Sequence, residues 1–244
     1  APGIGGLIYG LAGPAATYYV MAGLTVIALG LTSWVPGMAP VALRKRRMWG
    51  DIKEGLIYTK KNRTVLVLLL VALSTALLAM PFRTLLPVQI EEVFKLEVEA
   101  LGLMLSMIGI GALIGSLVIA GLSKNSRRGW VLLVTSMLSG AAILLAAVTT
   151  SYAVALVIMV ILGLGDSGRR ALNSSLIMEQ TDDEHRGRVM GVYMMNFGLI
   201  PLGALPLGFI SAFLDVRIAF ALAGGGLLAA AIGYTVLTDK IRQL

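Results

Sequence analysis

The chain has no cysteine and one histidine among its 244 residues. Without cysteine there are no disulfides and no thiolate chemistry, and a lone His185 cannot supply a metal site by itself. Its neighbours in DDEHRGR read as a solvated helix start. Charge is also scarce: Asp, Glu, Lys and Arg together make up 14% of the residues, against 57% hydrophobic ones. No HExxH, GxSxG or phosphate-cradling glycine loop occurs with the flanks its chemistry needs. A membrane-embedded enzyme would need reactive groups converging at one depth. The sequence offers one deep acid and no second carboxylate, so no enzymatic activity, cofactor or metal is expected.

What is present is oil. The mean hydropathy of +0.88 lies well above what a soluble domain needs for its core. Uncharged stretches run over 1–43, 64–82, 100–123, 129–165, 189–214 and 218–238. A membrane helix needs about 20 apolar residues to cross about 30 Å of hydrocarbon. Two stretches are too long for one crossing, and they break naturally at Gly13-Pro14 and at Thr149-Thr150-Ser151. The chain therefore reads as an all-α membrane protein, with spans at roughly 17–35, 65–87, 101–121, 130–148, 152–171, 189–212 and 218–237, and a short helical remnant at 1–12. That remnant is too short to cross, and residue 1 is Ala, so the reading is of a fragment cut within a helix.

The basic residues set the orientation. Residues 44–63, RKRRMWGDIKEGLIYTKKNR, hold eight Lys or Arg against two acids and are expected on the cytoplasmic side. Alternation then places fifteen of the twenty basic residues on that side. The formal net charge of +7 is accounted for as a positive-inside anchor, and nucleic acid is not an expected partner. The expected location is the cytoplasmic membrane, in a multi-pass arrangement with the lipid bilayer as partner.

One stretch resists the apolar pattern. In ILGLGDSGRRALN, residues 161–173, Asp166 lies roughly 21 Å along a helix begun at Tyr152, well inside the membrane. Arg169 and Arg170 fall at roughly 25 to 27 Å, where long side chains snorkel to headgroups or water. Asp166 lies three and four residues before them, so either arginine can lean toward it across one turn. Held in an ion pair, Asp166 is a structural clamp; facing a cavity, it can carry a proton. Arg83 is a third partner within reach only across a cavity. Elsewhere, Thr181 followed by Glu184 fits a capping box, with acids where a helix N-terminus favours them. Arg186 and Arg188 are expected to pair with acids or helix C-termini of neighbouring spans. The glycines and prolines of GLIPLGALPLG, including Pro201, Gly203 and Pro206, suit close helix packing or a hinge.

Four segments carry a family resemblance across the chain. APGIGG at 1–6 resembles the end of the fifth-helix motif of exporters, GPxxGG, with Ala for its first Gly and with Pro2, Gly5 and Gly6 in place. DIKEGLIY at 51–58 resembles the amphipathic helix before span seven, and LLPVQIEEVF at 85–94 is similar to the end of span seven. DDEHRGRVMGVYMM at 182–195 resembles the acidic-RGRV start of span eleven. Together they resemble the C-terminal part of a major facilitator superfamily transporter, most similar to its enterobactin-exporter-like branch, the transmembrane secretion effectors.

The resemblance implies a helical bundle of two six-helix halves around a midplane site. Residues 1–43 would hold a remnant of span five and all of span six, 44–63 the cytoplasmic inter-half linker, and 64–244 the C-terminal six-helix half. The missing N-terminal half of the same protein would be a partner. Spans seven and ten would line the cavity and bring Arg83 and Asp166 to it. The implied activity is secondary active efflux of a small amphipathic molecule, as by an antiporter, through alternating access. A structural or receptor-like membrane protein on the same fold is the other class. The loop GLSKNSRRG at 121–129 departs from the pattern, with Lys124 and Asn125 where the superfamily's repeated loop motif carries an acid.

Overall fold

The computed structural model describes residues 2–34, 48–97, 99–122 and 127–238. Among these the chain is helical throughout, with ten α-helices: α1 Pro2–Ser33, α2 Met48–Lys61, α3 Arg63–Ser74, α4 Phe82–Gln89, α5 Glu99–Ala120, α6 Arg128–Val148, α7 Tyr152–Glu179, α8 Arg186–Gly198, α9 Ile200–Phe213 and α10 Val216–Leu237. The first basic residues of the 44–63 segment, the loop positions Lys124 and Asn125 and the C-terminal tail lie outside the described residues.

Among the described residues, seven helical stretches are long and apolar enough to cross a membrane: Ala15–Ser33, Arg63–Phe94, Glu99–Ala120, Arg128–Val148, Tyr152–Glu179, Arg186–Phe213 and Val216–Val236. Each coincides with one span read from the sequence. The expected breaks also occur. Gly13 takes φ 79°, ψ 175°, a conformation open essentially to glycine alone, and the following Pro14 has no N–H to give. The chain leaves α6 at Val148 and begins α7 at Tyr152, across Thr149–Ser151.

Two stretches are longer than expected. The one from Arg63 to Phe94 is not a uniform helix: α3 passes through a π-turn at Thr75–Ala79 before α4, and a second π-turn at Ile90–Phe94 follows it. Asn62 starts it, its side-chain oxygen accepting from the backbone N–H of Thr64 and Val65. α7 continues to Glu179 rather than stopping near 171. Its 28 residues make about 42 Å of helix.

α7 is the central element, packing against α5 on one side and α6 on the other, while α10 packs on α6. The α5–α7 contact is a backbone approach. A Cβ on Gly163 would clash with the Ile108 carbonyl, and one on Gly111 with the Val160 carbonyl. In lipid, where apolar side chains gain little by leaving hydrocarbon, such close packing of small residues is the main source of helix association. Gly203 likewise abuts the carbonyl of Leu77, with no room for a Cβ. Pro201 begins α9 just after the break at Leu199, and Pro206 lies inside α9. Pro2, Gly5 and Gly6 belong to α1, but their surroundings lie outside the described residues.

The buried side chains form two principal clusters. One gathers Phe82, Leu86, Met104, Ile143, Met159 and Phe220 toward one end of the bundle. The other gathers Val65, Leu68, Leu132, Leu172, Val189 and Tyr193 toward the opposite end. Along α7 the first cluster ends at Leu162 and the second begins at Leu172. Asp166, Ser167, Arg169 and Arg170 lie in the interval between them.

Candidate functional site: a charged quartet beside a cavity

Asp166 lies midway along α7, and three arginines converge on it. Arg83 Nη2 donates to its Oδ2 at 3.0 Å and Arg170 Nη2 to the same oxygen at 2.8 Å, while Arg169 Nη2 donates to Oδ1. Both carboxylate oxygens are therefore engaged. The environments differ sharply: side-chain exposure is 7% for Asp166 and 4% for Arg169, but 39% for Arg83 and 46% for Arg170.

Of the two α7 arginines, Arg169 is enclosed in the bundle, while Arg170 keeps an exposed side chain along the cavity. The helix runs on for ten residues past Arg169, about 15 Å, so neither residue is near a helix end. Arg169 is held sideways, inside the bundle, by its counter-ion. Arg83 reaches the site from α4, 83 residues away in sequence. The structure thus brings together all four residues singled out for the path, Asp166, Arg83, Arg169 and Arg170.

The exposed arginines line a cavity of about 480 Å³. Its walls are Leu105, Ile108, Gly109 and Ala112 of α5 with Asp166, Ser167, Arg170, Ala171 and Ser174 of α7, and Arg83 closes one side. A second, narrower chamber of about 30 Å³ adjoins Arg169 and Arg170, walled in part by Thr75, Asn173, Tyr193 and Asn196. Such a volume suffices for a water molecule. Three atoms there are buried with no hydrogen-bond partner among the described residues: Arg169 Nε, Asn173 Oδ1 and Asn196 Nδ2. The sequence reading passed over Asn173, Tyr193 and Asn196. The available signal was helical spacing, since Asn173 follows Arg169 by four residues and Asn196 follows Tyr193 by three.

The second group of expected residues lies at the other end of α7 and makes a separate site. Arg188 donates to Glu54 at 3.0 Å and to Asp51 at 3.3 Å, tying α8 to the amphipathic α2. Arg186 pairs with Asp183 and donates to the Met178 carbonyl at 2.9 Å, near the C-terminus of α7. Arg188 thus meets acids of another helix, whereas the acid on Arg186 is a local one from the turn before α8. Tyr58 of α2 stacks on His185 with centroids 4.6 Å apart and donates to Asp182 at 3.1 Å.

The capping box is a correction. α8 begins at Arg186 after His185, and Thr181 donates its hydroxyl to the Ile177 carbonyl at 2.6 Å. Thr181 lies two residues past the end of α7, and its hydroxyl is turned back to the last turn of that helix rather than forward to α8. Glu184 is exposed and makes none of these pairs.

Seven membrane-length apolar helices among the described residues, three of them lining a charged cavity, define a multi-pass helical membrane protein. Sequence comparison places it more closely: residues 1–202, and again residues 68–242, match the Major Facilitator Superfamily, and the chain belongs to that family. A similar protein is the Staphyloferrin A transporter of Staphylococcus aureus (strain NCTC 8325 / PS 47), 26% identical over 161 residues. The match covers 66% of this chain and 40% of that relative's length.

Proposed function

We propose that this chain forms the C-terminal part of a secondary active transporter of the cytoplasmic membrane, exporting a small amphipathic molecule by alternating access driven by an ion gradient. In this reading residues 64–244 are the C-terminal six-helix half and 44–63 the cytoplasmic linker. Residues 1–43 are then span six with a remnant of span five. The observation that carries it is the quartet around Asp166, charged groups midway along a membrane-length helix and beside a cavity, where such residues mark a solute or ion path. Arg83 and Arg170 face the path, while Arg169 and Asp166 hold them there. Engagement of both Asp166 oxygens supports a holding role over that of a freely titrating proton carrier.

At the other end, the bonds from Arg188 and Arg186 to α2 and α7 act as a latch on the cytoplasmic side. Family membership and the kinship with a named transporter support transport; the exporter-like motifs support the outward direction.

The test is metabolite profiling of cells with and without the intact protein. At least one small molecule should appear outside only when the protein is made, and its appearance should stop when an uncoupler collapses the ion gradient. Accumulation inside the cells would reverse the direction, and no difference in either compartment would remove the transport reading. The orientation has its own check: with an impermeant thiol reagent on intact cells, Glu97→Cys should be labelled and Lys60→Cys should not.

A further inference from the structure

We propose that the cavity beside Asp166 is a subsite for an oxyanion, a carboxylate or phosphate group on an otherwise apolar molecule, held between Arg83 and Arg170. The proposal deepens the transport reading and rests on it, naming the chemistry of what the path accepts.

The first argument is charge. Three guanidiniums surround one carboxylate, an excess of two positive charges, and Asp166 is the one acid among the described residues of the cavity wall. Like charges held this close repel, and a bound anion removes that cost. A cation would add to it.

The second argument is donor geometry. A guanidinium carries five N–H donors. Arg83 and Arg170 each meet Asp166 through one nitrogen, Nη2, and both line the cavity with over a third of their side chains exposed. Several N–H groups on each remain for a planar oxyanion, the ligand such a fork fits best. Asp166 accepts from both on one oxygen, which fixes them as neighbours.

The third argument is the opposite wall. Leu105, Ile108 and Ala112 offer aliphatic surface, so the molecule that fills the cavity presents an anionic end to α4 and α7 and an apolar body to α5. The carboxylate of a free solute and the phosphate of a lipid headgroup share this chemistry.

The experiment measures local potential directly. Ser174 lines the cavity and is half-buried, and the chain has no cysteine of its own. The intact protein carrying Ser174→Cys as its only cysteine is purified in neutral detergent. It is then modified with sulfonatoethyl methanethiosulfonate, an anion, and with the cationic trimethylammonioethyl reagent. The anionic reagent should be favoured by about tenfold over its ratio at the exposed loop variant Thr150→Cys. Arg83→Gln or Arg170→Gln should reduce that preference; the comparison of the two reagents stands even where those variants fold poorly. Benzoate should slow the modification and benzamide should not. Protection by benzoate identifies a free solute as the source. Protection by added phosphatidylglycerol alone assigns the site to a headgroup. A reagent ratio within about twofold of the control, with no protection by either, overturns the proposal and means that an acid elsewhere in the intact protein neutralises the arginines. Failure of the transport reading looks different: the anion preference persists while no solute moves.

Discussion

Two clusters of arginine and acid sit about one half-helix apart on α7 and its neighbours, built from the same side chains in opposite surroundings. Around Asp166 the partners are enclosed, with Arg169 and Asp166 almost fully buried. Around Arg188 and Arg186 they are half in water, Asp183 being 86% exposed. The comparison teaches that an ion pair's importance follows from what surrounds it when broken. An exposed pair released into water loses little, whereas a buried charge that loses its partner has nowhere to go. Loss of one partner should therefore cost more in the quartet than in the outer cluster, which ties α2 to α8 at the surface.

Breaking the inner cluster gives the largest expected effect. Asp166→Asn leaves Arg169 buried without a counter-ion and should cost about 3 to 5 kcal/mol, seen as a lower melting temperature and a lower membrane level of the intact protein. Adding Arg169→Gln should recover part of that loss, and adding Arg186→Gln none of it. Normal amounts in the membrane with transport abolished would instead give Asp166 the role of ion carrier.

The next effect sharpens the claim that α7 has little positional freedom. Gly163→Val places a side chain against the Ile108 backbone and should destabilise by about 1 to 3 kcal/mol, measured by the same melting experiment. A melting temperature equal to the parent's would mean that α5 can move aside.

The smallest effect belongs to the outer cluster. Arg188→Ala should cost at most about 1 kcal/mol, discounted because its partners are part-exposed. The difference from the parent should vanish in about 1 M salt, where the screening length falls to about 3 Å. The effect of Asp166→Asn should survive the same salt. Equal salt sensitivity at both sites would erase the distinction between them.

Much of this was legible from residue order. The seven spans and the breaks at Gly13 and at Thr149–Ser151 follow from apolar run length and helix-breaking residues, which act locally. The i, i+3 and i, i+4 pairing of Asp166 with Arg169 and Arg170 follows from helical spacing. What failed was whatever depended on a neighbour's position. An end for α7 near 171 follows from the length of one membrane crossing, eight residues short of Glu179. In the bundle Asn173 is buried and Arg128 reaches across from α6 to bond Ser175 and Glu179. Thr181 and Glu184 carried the spacing of a cap, yet the preceding helix used the threonine first. Arg83 was named as a partner, but its reach to Asp166 depends on the phase of a helix that is not regular.

That phase has a further consequence. A regular helix turns 100° per residue, and the π-turn at Thr75–Ala79, closed by the bond from Met80 N–H to the Thr75 carbonyl at 3.0 Å, holds one residue more than a regular turn. The side chains beyond it are rotated as though one position had been slipped into the count. Chain length and side-chain direction are thereby coupled: deleting any one residue from 75–79 would remove the wide turn and swing Arg83 by roughly 100°, away from Asp166. This span tolerates exchange of its letters far better than a change in their number, and alignments that open a gap here would misplace the arginine without any mismatch to betray it.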